Sequence, residues 1–183
     1  KNEEVKSNFK EVVEKLEKMG VDIVEVSLPH TDLATAVYYI LQSAEVSSNL
    51  ARFDGIRFGN KRESFGAEAI RRMLIGTYTL SAGYYDAYYK TALKVRTLIK
   101  KDFVEAFEKV DVLLAPVSPT PPFKLGEKVS DPLEMYLSDI LTVPVNLAGL
   151  PAIALPSGKT RGGLPLGVQV IGKRFSEEEI FPI

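Results

Sequence analysis

The chain has 183 residues, 45% of them hydrophobic, which suits a globular domain with a buried core and excludes disordered and collagenous readings. Its 23 basic and 24 acidic residues nearly cancel to a net charge of −1, so no overall field would draw in nucleic acid or an anionic membrane. With no cysteine it can have no disulfide framework, thiolate metal site or thiol nucleophile, which is compatible with the cytoplasm.

The N-terminal KNEEVKSNFK is charged, and no run approaches the roughly 18 apolar residues that span a bilayer, so neither secretion nor membrane insertion is expected. The chain starts at a lysine and opens directly into a helical pattern, which suggests a piece of a longer protein. In that pattern Val5, Phe9, Val12, Val13, Leu16 and Met19 recur at three and four residues, with Gly20 as the stop. Val21 to Leu28 is short and rich in β-branched residues, ends at Pro29, and predicts a strand. Thr31 or Asp32 can cap a second helix through Val37, Ile40, Leu41 and Ala44, ending before a loop from Phe53 to Gly59.

A third helix is predicted over Ala67 to Leu80. A fourth carries Tyr85, Tyr88, Tyr89, Ala92, Val95, Ile99, Phe103, Phe107 and Val110 on one stripe. Strands follow at Val112–Ala115, Ile153–Leu155 and Val168–Ile171, with a short helix over Leu133–Leu141. Proline and glycine recur every few residues from Asp111 to Gly172. Because proline fixes φ and removes a donor, this stretch predicts extended passes joined by turns rather than ordinary helix or central strand. No internal repeat or low-complexity segment occurs. The alternation of helix and strand predicts an α/β chain, part of a larger mixed sheet flanked by helices.

Candidates for chemistry are few. His30 could serve as a base, but it lies in a Pro-His-Thr turn with no serine nucleophile motif nearby, so a solvent-exposed turn residue is expected. One histidine and no cysteine leave only carboxylates for a metal, and neither an HExxH nor an EF-hand spacing occurs. The glycines of KTRGGLPLG lack the ending of a Walker loop and read as a hairpin turn. Tyr84, Tyr85, Tyr88 and Tyr89 could stack on bases, but at helical spacing core packing is expected.

Arg71 and Arg72 point about 100° apart on a helix, so one of them should face inward beside Ile70 and Leu74. An inward guanidinium needs an anion, either an internal carboxylate or that of a bound ligand. Asp139, set among Leu137, Ile140 and Leu141, can cap the loop's backbone or bind a ligand's ammonium.

The stretches YYILQSAEVSSNLARFDGIRFG, FGAEAIRRMLIGTYTLSAGYYDAYYKTALKVRTLIKKDF and DILTVPVNLAGLPAIALPSG together resemble the C-terminal half of amidase-signature enzymes. Within that family they are most similar to the A subunits of the aspartyl/glutamyl-tRNA amidotransferases, over nearly the whole chain. The resemblance implies a glutaminase in which a serine nucleophile, a second serine on a cis peptide and a lysine release ammonia from glutamine, with backbone N–H groups holding the oxyanion. Ammonia then passes to a partner subunit that amidates misacylated Glu-tRNA(Gln) or Asp-tRNA(Asn). The implied partners are glutamine, amidotransferase subunits B and C in a heterotrimer, and tRNA indirectly. No cofactor is implied in this chain, ATP and Mg being used by the partner subunit.

The triad's Gly-Ser-rich region does not occur here, so the chain alone is expected to be inactive, carrying the glutamine-recognition side only. Matched residue by residue, that side comprises Tyr38 of YYILQSAE, with Tyr39 beside it, Arg72 of AIRRMLIG and Asp139 of SDILT. The carry-over turns the arginine question toward a ligand, since a zwitterionic amino acid offers a carboxylate to a guanidinium and an ammonium to an acid. Two departures stand out: only NKRES joins Gly59 to Phe65, shorter than the family's helical loop, and Phe58 replaces a common tyrosine. Alternative readings are a non-catalytic scaffold that docks partner subunits, and an amidase of the same fold acting on aryl or fatty amides.

Overall fold

The computed structural model describes residues 2–128 and 132–181. In chain order the helices are α1 (Glu3–Lys18), α2 (Ala34–Leu50), α3 (Ala67–Thr79), α4 (Thr91–Phe107), α5 (Pro132–Leu137), α6 (Val143–Ala148) and α7 (Glu177–Ile180). The strands are β1 (Leu113–Pro116), β2 (Ala152–Lys159) and β3 (Pro165–Ile171). Two compact units result, one from the residues up to Thr31 together with those from Ile99 on, the other from Asp32–Leu98.

In the first unit α1 starts where the Asn2 side chain accepts hydrogen bonds from the N–H groups of Glu4 (2.9 Å) and Val5 (3.2 Å). Glu3 and Glu4 in its first turn and Lys15 and Lys18 in its last complement the helix dipole. Gly20 follows at φ 90°, the left-handed conformation that glycine adopts without strain. The three strands form one antiparallel sheet in the order β1-β3-β2. Val168, Val170 and Ile171 of the central strand are buried, as are Ile99, Phe103 and Ala106 of α4. Pro116 ends β1, Pro165 opens β3, and Pro156 sits at an irregularity on edge strand β2, so the ladder loses little to its prolines. At that irregularity Asn8 of α1 donates to the Ser157 carbonyl (3.1 Å) and also bonds the Ser157 hydroxyl. The turn of KTRGGLPLG joins β2 to β3 as a hairpin, with Gly163 at φ 82°.

In the second unit α2 and α3 pack together. Ala34, Val37, Leu41 and Ala44 of α2 are buried, as are Met73, Gly76 and Thr79 of α3. Gly76 is what permits the closeness: a Cβ there would fall 1.9 Å from the Ser43 carbonyl oxygen, a backbone atom that cannot swing away. The Ser43 hydroxyl is buried against this seam with no hydrogen-bond partner among the described residues.

The α/β class is as expected, and four sequence expectations change. Val21–Leu28 forms no strand: Val21, Ile23 and Val24 are exposed, and no described segment offers them a ladder. The tyrosines do not enter a core. Tyr84, Tyr85 and Tyr88 are exposed and stack in pairs, Tyr84 on Tyr88 and Tyr85 on Tyr89. The fourth helical stripe is not continuous, because Tyr85–Lys90 is π-helical and its wider turn shifts the phase before α4 begins. In the proline-rich stretch LTVPVNLAG makes helix α6, since Pro144 falls in the first turn where its missing N–H costs nothing.

The seam between α2 and α3 yields a direct test. In the intact protein Gly76→Ala should cost about 1–3 kcal/mol by overpacking, read as a lower urea midpoint. An unchanged midpoint would show that the helices are not held so close.

Candidate functional site

Arg72 projects from α3 toward α2, and its side chain is 19% exposed against 46% for Arg71. Of the two adjacent arginines it is therefore the inward one, although Ile70 and Leu74, expected beside it, are exposed and the buried residues of α3 are Met73, Gly76 and Thr79. Its Nε donates to Glu68 Oε1 (2.8 Å), one turn earlier on the same helix. Its Nη1 donates to Gln42 Oε1 (2.6 Å) and to the Tyr38 hydroxyl (3.2 Å). Tyr38 and Gln42 are themselves one turn apart on α2, so one helix face supplies both acceptors. The Tyr38 and Tyr39 rings meet edge to face, with the guanidinium carbon 5.8 and 5.3 Å from their centroids. Nη2 alone of the guanidinium nitrogens has no hydrogen-bond partner among the described residues.

Burial on its own would lower the Arg72 pKa. The hydrogen bonds to Glu68 and Tyr38 and the neighbouring phenols outweigh it and raise the pKa above the ordinary arginine value. The group is a permanent cation whose two remaining donors can meet an anion. An internal carboxylate holds Nε, and Nη2 is left over among the described residues. Glu68 was legible as an acid four residues before Arg72, whereas Gln42 shows its role only once α2 and α3 are packed.

Asp139 belongs to the first unit, in the turn between α5 and α6, and is exposed. Its carbonyl, not its carboxylate, organises the turn, accepting from the N–H groups of Thr142 (3.0 Å) and Val143 (2.9 Å) and from the Thr142 hydroxyl (3.1 Å). The buried Gln169 of β3 ties this turn to the sheet, its amide donating to the carbonyls of Leu141 (3.0 Å) and Pro116 (3.1 Å). A cleft of about 290 Å³, lined by Val117, Thr142, Asn146, Ile153 and Gln169 among others, opens beside it.

His30 is not the simple exposed turn residue that its neighbours suggest. Its backbone N–H donates to Asp102 Oδ2 (2.7 Å), and its ring Nδ1 lies 2.7 Å from Asp102 Oδ1. Asp102, on α4, is only 4% exposed, so the pair clamps the His30 turn from 72 residues away. The sequence conceals it because the acid sits inside a helix far along the chain. Among the described residues no group of three or more histidine, aspartate or glutamate side chains could hold a metal ion, and no helix is long and apolar enough to cross a membrane.

The sequence profile of the amidase family matches residues 1–181. The chain is 55% identical over 192 residues to the A subunit of the glutamyl-tRNA(Gln) amidotransferase of Geotalea daltonii, covering 97% of this chain and 40% of that protein. It is 52% identical over 196 residues to the protein of the same name from Thermodesulfovibrio yellowstonii, covering 100% of this chain and 40% of the relative. Among solved structures, the A subunit of the glutamyl-tRNA(Gln) amidotransferase of Thermotoga maritima superposes with a TM-score of 0.77 at 44% identity, over 100% of this chain and 38% of that one. An allophanate hydrolase from Kluyveromyces lactis superposes with a TM-score of 0.76 at 27% identity, over 95% of this chain and 28% of that one. The chain spans about 40% of the length of the curated relatives it matches.

The clamp at His30 predicts a stability effect. Asp102→Ala in the intact protein should cost about 1.5–3 kcal/mol, because a buried acceptor of two hydrogen bonds is lost, and Asp102→Asn should cost less. Denaturant midpoints equal to that of the unmutated protein would show that the pair clamps nothing.

Proposed function

We propose, from the premise that the chain belongs to the amidase family, that it forms the glutamine-recognition side of a tRNA-dependent amidotransferase A subunit. The observation that carries this reading is the Arg72 cluster, a permanent cation held by Glu68, Gln42 and Tyr38 with Nη2 left over. The names of the relatives at 52–55% identity support the place as an amidotransferase A subunit.

In this reading Arg72 takes the α-carboxylate of glutamine through Nη2, and Tyr38 borders it. Asp139 takes the ammonium, a role proposed from its place in SDILT and suited by its exposed carboxylate. The serine nucleophile, the bridging serine and the lysine would belong to the rest of an intact protein in which this chain is the C-terminal part. The lysine would take the bridging serine's proton and that serine the nucleophile's, the nucleophile would attack the side-chain amide carbon, the C–N bond would break as the proton passes to the leaving ammonia, and water would hydrolyse the glutamyl-serine ester to glutamate. Holding the amino acid by its charged groups is the positioning contribution expected of residues that touch no reacting atom. Ammonia would pass to a partner protein within a cytoplasmic heterotrimer of subunits A, B and C, where ATP and Mg serve the amidation of misacylated tRNA. The chain alone, lacking the triad, would be inactive.

The alignment of 196 positions against a chain of 183 supports a loop shorter than in that relative, and we place the difference between Gly59 and Phe65. The likeness to an allophanate hydrolase keeps a second reading, an amidase acting on another small polar amide. A carboxylate-binding role for Arg72 supports glutamine over simple aryl or fatty amides, which have no carboxylate to meet it.

Steady-state kinetics of the intact protein test the reading. Arg72→Ala should raise KM for glutamine by roughly 10–150-fold, the equivalent of about 1.5–3 kcal/mol for a lost charged hydrogen bond. Glutamine kinetics indifferent to this change would remove Arg72 from the site.

A further inference from the structure

Gln42 makes the shortest hydrogen bond that Arg72 has in the second unit, 2.6 Å from Oε1 to Nη1, and it does so with a neutral acceptor. A carboxylate would be the ordinary partner for a guanidinium at that distance, and Glu68 already supplies one on Nε. Glu68 is shared, its other oxygen accepting from Arg71, so a second carboxylate at position 42 would cancel the positive charge that the two arginines and Glu68 leave. One carboxylate and one amide hold the guanidinium on two sides and leave Nη2 with charge to offer. The Tyr38 hydroxyl, at 3.2 Å, fixes the same Nη1 from the other α2 position and adds no charge at neutral pH.

We infer that Gln42 is a positioning residue which orients Arg72 for the substrate carboxylate while keeping the site's charge positive enough to bind it. The inference rests on the proposed role of Arg72 and goes beyond it by giving a reason for an amide at position 42. A structural role alone would be served as well or better by glutamate, which has the same length and makes the stronger, charge-assisted bond to Nη1. The ligand role is not, because a second anion beside Nη2 repels the incoming carboxylate.

The test is a set of variants in the intact protein with its partner subunits, measuring KM and kcat for glutamine together with the melting temperature. Gln42→Glu should keep or raise the melting temperature, hold kcat within about twofold, and raise KM by roughly tenfold or more. Gln42→Met, which removes the acceptor without adding charge, should raise KM several-fold, and it carries the test if Gln42→Glu does not fold. The double variant Gln42→Glu with Arg72→Ala should have the KM of Arg72→Ala alone, since the residue acts through the guanidinium. An unchanged KM in the Gln42 variants beside a raised KM in Arg72→Ala would overturn the inference and leave the glutamine reading standing. An unchanged KM in Arg72→Ala as well would overturn both.

Discussion

The close approach of α3 to the backbone of α2, where Gly76 lies against the Ser43 carbonyl, is the constraint beside which the Arg72 cluster is built. One turn before Gly76 stands Arg72, and beside Ser43 stands Gln42, with Tyr38 one turn earlier again. Because the two helices can approach no closer and have no side chain at position 76 to hold them apart, the guanidinium arrives within hydrogen-bonding reach of both α2 acceptors. A residue without a side chain thus sets the position of the site's strongest charge. The Ser43 hydroxyl, buried with no hydrogen-bond partner among the described residues, lies at the same seam.

The cluster also shows how a partly buried cation can be satisfied and still be useful. A guanidinium has five N–H donors, and acceptors crowded around all of them would leave a structural ion pair. Among the described residues Nε and Nη1 are used and Nη2 is not, so the group is immobilised without being consumed. Glu68 is half exposed, and solvent weakens its hold on the cation. Gln42 is neutral, which keeps the balance of charge on the side of an anion.

What could be read from the sequence is what periodicity and chemistry determine locally. The apolar spacing of α1, the boundaries of α3, the hairpin glycines and the inward turn of one of two adjacent arginines all follow from 3.6-residue geometry and φ preferences. Expectations failed where the outcome depends on a distant partner. Val21, Ile23 and Val24 have the composition of a strand, but a strand exists only beside another, and none of the described residues supplies it. Tyr84, Tyr85 and Tyr88 have the spacing of a buried face, yet the π-helical turn and the absence of a covering element among the described residues leave them exposed and stacked on their neighbours. His30 and Asp102 are paired across 72 residues, and Gln42 reaches Arg72 across 30, distances at which no local pattern speaks. LTVPVN reads as extended when proline is weighed as a breaker, whereas in a first turn proline is a helix starter.

Which atom receives the substrate is the central question, and a crystal structure of the intact protein with glutamine bound answers it most directly. The α-carboxylate should lie within about 3 Å of Arg72 Nη2, with Gln42 and Glu68 still holding Nη1 and Nε. A glutamine carboxylate bound elsewhere, with Nη2 facing only solvent or protein, would contradict the proposed role of Arg72.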